Sequence, residues 1–156
     1  MKLILACDPK GGIGLNGKLP WTQLQGDLPR FKELTTGKKV IMGKKTFMSL
    51  PIKPLPNRIN YVLSKNQVIT EPGKPGVMSF SNESLLNNFV DDDSWVIGGA
   101  SVVKVLWDNI KEIHLSRTFT EYTCDTYIDL LKLETEFMCW FKENHTDHTY
   151  EIWKRK

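Results

Sequence analysis

Apolar runs and helical periodicities alternate along the first two thirds of this chain. The run at 3–7 stops at Asp8 and Pro9, and so short a run bounded by turn residues predicts a buried strand over Lys2–Cys7. Residues 8–20 carry Gly11, Gly12, Gly14 and Gly17 and read as a loop. Leu24, Leu28, Phe31 and Leu34 then recur at the spacing of one helix face, with Gly37 as the stop. A strand over 38–42 turns at Gly43 into a short helix over 44–50, which Pro51, Pro54 and Pro56 break. Strands are predicted at Ile59–Leu63 and Val77–Phe80, with a turn-rich loop at 71–76 between them. A helix over 81–90 carries Leu85, Leu86 and Phe89, and the like charges at 91–93 read as a solvated loop. A strand at 95–97, a turn at Gly98-Gly99 and a helix through Val102, Val103, Leu106 and Ile110 close the alternation. The remainder reads as strands alone, at Glu112–Thr118, 136–142 and 148–154. Such an order implies an α/β fold with a mostly parallel sheet, helices on its faces and an antiparallel edge at the C-terminal end.

Composition narrows the class. The 156 residues are 40% hydrophobic and 25% charged, which suits one globular domain over 1–156 and excludes wholesale disorder. Lys and Arg number 21 against 18 Asp and Glu, so a formal +3 does not mark a nucleic-acid protein, and charge must act by placement. Cys7, Cys124 and Cys139 form no CxxC pair, which argues against zinc or a redox dithiol and fits idle thiols in a reducing compartment. The N-terminal apolar run is too short for a signal segment or a membrane span, so a soluble cytoplasmic protein is expected.

Three glycine motifs differ in worth. Gly12, Gly14 and Gly17 match GxGxxG after a strand, yet Lys18, Leu19, Pro20 and Trp21 follow where a helix must open onto a pyrophosphate. The dinucleotide fingerprint is therefore rejected, and a loop closing over a ligand fits better. Gly98-Gly99-Ala100-Ser101 has a strand before it and a helix after it, so it is either a phosphate-binding helix start or a tight turn. Gly43-Lys44-Lys45-Thr46 lacks the first glycine of a P-loop. It nevertheless puts two cations at a helix start, where the helix dipole favours anions. With Ser64-Lys65 after the next strand, these groups would gather on one sheet edge and suit a phosphate; idle surface lysines are the competing account.

Asp27 is the misplaced carboxylate. Its spacing to Leu24, Phe31 and Leu34 puts it on the apolar stripe, where a carboxylate is costly unless paired or bound to a ligand. Pro29 fits only in a first turn, so a plain helix N-cap explains Asp27 as well. The other carboxylates sit in polar runs and read as solvated. His145 and His148 lack a third ligand partner, and no metal is expected.

Together these segments resemble the dihydrofolate reductase family over nearly the whole chain. The likeness is densest at Ile13-Gly14, Leu19-Pro20-Trp21, Asp27-Leu28 with Phe31, and Val40-Ile41-Met42-Gly43 with Thr46-Phe47. It continues at Leu55-Pro56-Asn57-Arg58, Val96-Ile97-Gly98-Gly99 and Asp125-Thr126. It implies an eight-stranded, mostly parallel twisted sheet with about four helices, working as a monomer. The implied reaction is hydride transfer from NADPH to C6 of dihydrofolate with protonation at N5. Methotrexate and trimethoprim are the implied kind of inhibitor, and neither nucleic acid nor membrane is a partner.

By the same resemblance Asp27 is the pterin-binding carboxylate, supported by the Ser116 hydroxyl, where the family usually has Thr. Trp21 would order a water and Leu19 would cover the nicotinamide. Ile4, Ala6, Leu28, Phe31, Leu50, Leu55 and Ile97 would line the substrate, and Arg58 would hold its glutamate carboxylate. Ala6 and Ile13 would contact the nicotinamide ring, beside which Val103 stands, and Gly98-Gly99 would meet the pyrophosphate. Lys44, Lys45, Thr46, Ser64 and Lys65 would form the adenosine-phosphate site that selects NADPH. Gly14, Asn16, Leu19, Gly43, Ser49, Leu63, Ile97, Ala100, Ser101, Val102 and Thr126 would be further cofactor contacts. Lys44 stands for a usual Arg, Val103 for a usual aromatic, and one extra residue separates Trp21 from Asp27. A related fold that reduces a pyrimidine ring with NADPH is disfavoured by Asp27 and Arg58. A nucleic-acid module built on the 5 Trp and the lysine-rich loops is the non-enzymatic alternative.

Overall fold

The computed structural model describes residues 1–65 and 77–156; the loop predicted at 71–76 lies outside the described residues. Along the chain run β1 (Lys2–Cys7), β2 (Gly12–Gly14), α1 (Asp27–Thr35), β3 (Lys39–Gly43), α2 (Lys44–Ser49) and β4 (Ile59–Leu63). There follow β5 (Val77–Phe80), α3 (Glu83–Leu86), β6 (Trp95–Gly98), α4 (Ala100–Leu106) and β7 (Glu112–Thr118). The chain ends with β8 (Thr126–Tyr127), α5 (Leu130–Glu136), β9 (Phe137–Asn144) and β10 (His148–Arg155).

Eight strands form one sheet in the order β5-β4-β3-β6-β1-β7-β10-β9. The pairings from β5 to β7 are parallel; β10 runs antiparallel to both β7 and β9, which leaves β9 at the edge. Alternating side chains send one set of residues to each face. Val40, Met42, Val62 and Trp95 pack with Phe47 of α2 and Leu34 of α1 on one side. Leu3, Ile41, Val96, Ile113 and Leu115 pack with Leu86, Val102, Val103, Leu106 and Leu133 on the other. Thus α1 and α2 cover one face, and α3, α4 and α5 cover the opposite one. No helix among the described residues is long and apolar enough to cross a membrane.

Five expectations are corrected. The helix predicted from about Leu24 begins at Asp27, after Gly26 with φ +82° at the cap, and Leu24 is buried just before it. Leu28 points outward, 60% exposed, off the buried stripe. The helix predicted over 81–90 shortens to α3, because Leu86 alone of its apolar residues is fully buried while Leu85 and Phe89 stay exposed. The C-terminal third is not all strand: α5 forms with Asp129 capping the Lys132 N–H at 3.0 Å and Leu133 buried beneath it. Finally, the loop at 8–20 contains β2, which pairs with the remote β8 in a small second sheet.

Glu151, read from its sequence neighbours as solvated, is 2% exposed on the α4 side of β10. Arg117 meets it with two N–H groups at 3.1 and 3.2 Å, and the Thr149 hydroxyl (2.6 Å) and Trp153 indole N–H (2.9 Å) donate as well. A buried carboxylate is tolerable only with such partners. Replacing Arg117 by Met should cost about 2–3 kcal/mol, because two neutral donors remain to Glu151 but no cation does. Urea unfolding of the variant checks this; an unchanged midpoint would show that the cation is dispensable.

Candidate active site

Parallel strands bring their C-terminal ends to one edge of a sheet, the usual place for ligands in this class of architecture. Register then decides which ends stand together. Gly43 is opposite Leu63, Met42 is opposite Gly98, and Ala6 is opposite Ser116. Expected cofactor residues thereby stand at the ends of β3, β4 and β6, with Ala6 on β1, while expected substrate residues stand on β1, β6, β7 and α1 and, as Leu50, Leu55 and Arg58, between α2 and β4.

On the substrate side, Asp27 occupies the first turn of α1 as its first helical residue, with Gly26 rather than Asp27 as the cap. The Ser116 hydroxyl, at the end of β7, donates to Asp27 Oδ1 at 2.5 Å. Asp27 keeps 28% of its side chain exposed, so a ligand can reach it. Trp21 is buried edge-on to Tyr122, ring centroids 5.5 Å apart. Arg58 donates to the Thr35 hydroxyl at 3.0 Å and to the Pro56 carbonyl at 2.9 Å, and lies 5.9 Å from the Phe31 ring. It therefore ties the loop after α2 back to α1. Partial burial pushes its guanidinium below the ordinary value, although an arginine stays charged at neutral pH. Leu50, Leu55, Ile4 and Ile97 are half-buried against the α1–α2 core, and Phe31 is half-buried on α1. Leu28 and Leu19 are exposed.

On the other side, α2 and α4 start from neighbouring strand ends, β3 and β6. A Cβ on Gly98 or Gly99 would stand 3.8 or 3.6 Å from Thr46 Oγ1, and one on Gly43 would stand 3.1 Å from Val102. At Gly43 the missing side chain lets Val102 of α4 pack close, whereas at Gly98 it is the φ of +126° that calls for glycine; a Cβ at Gly98 or Gly99 would make only ordinary contact with Thr46. Backbone N–H groups of both first turns face the crevice between the two helix starts, and α2 opens with the side chains of Lys44, Lys45 and Thr46. Lys45, Ser49, Lys65 and Ser101 are exposed; Lys44, Leu63, Ser64 and Ala100 are half-buried. Val102 and Val103 are buried, and Val103 lines a cavity of about 390 Å³ with Ser101, Lys104, Trp107, Tyr127 and Ile128.

The glycine loop is held by residues whose importance the sequence did not reveal. Asp8, read as solvated, is 1% exposed and accepts from the N–H groups of Lys10, Gly12 and Tyr122 at 2.9, 2.8 and 3.1 Å. A Cβ on Gly12 would sit 2.3 Å from Cys124 Sγ, so that position requires glycine. Asp125 accepts from the Asn16 N–H at 2.9 Å, and Thr126 pairs with Gly14. The Asn16 amide and Thr126 hydroxyl hold the Asp125 carboxyl below the usual range. Ile13 packs against the core beside this tether. Arg30 stands 3.9 Å from Asp27 and over the Tyr150 ring, whose hydroxyl is hydrogen-bonded to His114, and nothing in the spacing of these three had singled them out.

A half-buried carboxylate at the start of α1, held by a strand hydroxyl and set beside a pair of helix starts with Lys44 and Lys45 at one of them, is the layout of an α/β oxidoreductase that brings a substrate to a nucleotide cofactor. Residues 1–155 match the family model described as dihydrofolate reductase. A type 8 dihydrofolate reductase of Escherichia coli is 39% identical over 161 residues, spanning 98% of this chain and 94% of its own. The dihydrofolate reductase of Haemophilus influenzae is 38% identical over 133 residues, covering 85% of this chain and 80% of its own. That of Sus scrofa is 34% identical over 154 residues, covering 86% and 81%. The chain belongs to the dihydrofolate reductase family; it is an oxidoreductase that reduces dihydrofolate with a nicotinamide cofactor.

His114 on β7 is buried between the Trp95 ring, 4.9 Å away, and Tyr150, to whose hydroxyl it is hydrogen-bonded. Burial pushes its imidazole below the ordinary value, outweighing the opposite pull of Glu112. The unfolded chain then binds a proton more readily, so stability is full above the ordinary histidine value of about 6.5 and is lost as pH falls through it. His114→Gln should flatten this part of the stability curve, read from urea midpoints between about pH 5.5 and 7.5. Parallel curves for the two proteins would overturn it.

Proposed function

We propose that this enzyme reduces 7,8-dihydrofolate to tetrahydrofolate with NADPH in particular, as a single-domain cytoplasmic monomer. The observation that carries the site assignment is the hydrogen bond from Ser116 to Asp27, which stations a half-exposed carboxylate over the end of β7. Asp27 would accept hydrogen bonds from the pterin 2-amino group and N3. The carboxylate beside the ring would raise the basicity of N5 without itself delivering the proton. Leu28, Phe31, Leu50 and Leu55 would supply apolar contact to the aminobenzoyl part. Arg58, already oriented by Thr35 and Pro56, would hold the glutamate carboxylate. Antifolates of the methotrexate or trimethoprim kind would compete for the same groups.

The residues at the α2 and α4 starts fit a dinucleotide, since the glycines there admit close backbone approach and Lys44, Lys45 and Lys65 supply positive charge. Gly98 and Gly99 would hold the pyrophosphate. Lys44, Lys45, Thr46, Ser64 and Lys65 would bind the phosphate that distinguishes NADPH from NADH. When bound, the nicotinamide supplies the hydride; the protein positions the two rings, with Ala6, Ile13 and Leu19 excluding water around them. The free thiols of Cys7, Cys124 and Cys139 support a reducing compartment, and burial pushes the Cys7 thiol up to about 12, out of reach of thiolate chemistry.

NADPH oxidation in the presence of dihydrofolate, repeated with methotrexate, is the direct test. Inhibitable turnover is expected, and binding of NADPH without turnover would remove the pterin assignment alone. Asp27→Asn should keep the fold and NADPH binding while turnover falls by about 100-fold or more; near-normal turnover would rule out its role. Lys44→Ala combined with Lys45→Ala should weaken NADPH on the order of tenfold more than NADH. Equal loss for both cofactors would show that the discriminating phosphate binds elsewhere.

A further inference from the structure

Arg30 stands one helical turn beyond Asp27 on α1 and has no part in the assignments above. Its side chain is 16% exposed, so a permanent cation is largely removed from water and needs partners. The guanidinium lies over the Tyr150 ring, 3.9 Å from its centroid. Nη2 is 3.2 Å from His145 Nε2 and Nη1 is 3.5 Å from His148 Nε2. The two imidazoles stack at 4.8 Å with planes 5° apart. His148 Nδ1 is 2.7 Å from Asp147 Oδ1, which can only accept, so that nitrogen carries the proton and Nε2 is left as an acceptor for Arg30. His145 Nε2 is 2.8 Å from Glu143 Oε1, which also only accepts, so its proton points to that carboxylate and His145 adds to the arrangement by stacking on His148 rather than as an acceptor for Arg30. Tyr150 and His148 of β10 therefore clamp Arg30 in one orientation.

From that clamp Arg30 Nη1 reaches the Ser116 oxygen at 3.4 Å and Asp27 Oδ1 at 3.9 Å. A guanidinium only donates, and a serine hydroxyl has one proton. An ionised Asp27 only accepts, so the Ser116 hydroxyl donates to it at 2.5 Å while its oxygen is held by the Arg30 guanidinium. We propose that Arg30 is a positioning residue for the substrate: it anchors the Ser116 oxygen whose hydroxyl donates to Asp27 and sets a positive charge behind the carboxylate that receives the pterin. This rests on the assignment of Asp27 as the substrate carboxylate. Arg30 acts through Asp27 and Ser116, so its removal affects dihydrofolate and leaves the cofactor side untouched.

The test compares dihydrofolate Kd, NADPH Kd and the kcat/KM split in Arg30→Met, Arg30→Lys, Ser116→Ala, Asp27→Asn and the Arg30→Met, Asp27→Asn double variant. Arg30→Met should weaken dihydrofolate roughly tenfold, chiefly in KM, with NADPH Kd unchanged. Arg30→Lys, which keeps a charge and a donor, should recover most of the loss. In the Asp27→Asn background, Arg30→Met should have no further effect. Ser116→Ala removes the intermediary while leaving the clamp intact, and should reproduce the loss even if Arg30→Met folds poorly. Normal dihydrofolate affinity in Arg30→Met, beside a crippled Asp27→Asn, would overturn the role of Arg30 alone. An equal loss in both backgrounds, or no rescue by lysine, would reduce Arg30 to a structural residue. Normal affinity in Asp27→Asn would overturn the carboxylate assignment and this proposal with it.

Discussion

The insertion of β6 between β3 and β1 governs the working edge of this protein. The chain moves outward through β3, β4 and β5, then returns to place β6 against β3, with Met42 beside Gly98. From these adjacent strand ends α2 leaves toward one face of the sheet and α4 toward the other, since Phe47 lies in one core and Val102 in the opposite one. Two helices diverging from neighbouring parallel strands open a crevice at their starts, and backbone N–H groups line it without any charged side chain being buried. The missing side chain at Gly43 lets Val102 pack close against β3, and glycine at 98 admits a φ of +126°. This crevice is thus chiefly a matter of strand order and of two glycines.

The substrate half depends on a different device, a single hydrogen bond between residues 89 positions apart. Without Ser116, the first turn of α1 would have no polar attachment to β7, and Asp27 would face either the solvent or an unsatisfied core. Arg30, Tyr150 and the stacked His145 and His148 extend the attachment across β10. The last strand pair, outside the parallel part of the sheet, therefore reaches Asp27 through Arg30. The glycine loop is fastened at the opposite end by Asp8, Asp125 and the β2–β8 pairing. Its approach to the site is set by polar contacts to the backbone rather than by apolar packing.

Much of this was legible locally. The limits of β1, β4, β5 and β7 coincide with those expected from short apolar runs between turn residues, because strand burial imposes a period that neighbours alone display. The oddity of Asp27 on an apolar stripe and the strand–glycine–helix context of Gly98-Gly99 were visible in the same way. Their chemical meaning came from resemblance, since spacing alone allowed an N-cap and a plain turn. Leu24 and Leu28 misled, because helical spacing does not say where a helix starts when a glycine cap intervenes.

What only the tertiary structure decided concerns groups whose energy depends on partners from elsewhere in the chain. A strand of two or three residues such as β2 or β8 has no period to read and exists only because its partner arrives from over a hundred residues away. Asp8 and Glu151 look solvated beside their sequence neighbours, yet both are buried, because remote donors (Tyr122 for one, Arg117 for the other) offset the cost of removing a carboxylate from water. Arg30 is an ordinary charged helix residue until β7 and β10 surround it. The sequence by itself determined the alternating layers and the residue types at the strand ends, since both follow from short-range hydrophobic pattern. Which of those ends meet, and which charges are held dry between them, was left to the packing of distant segments.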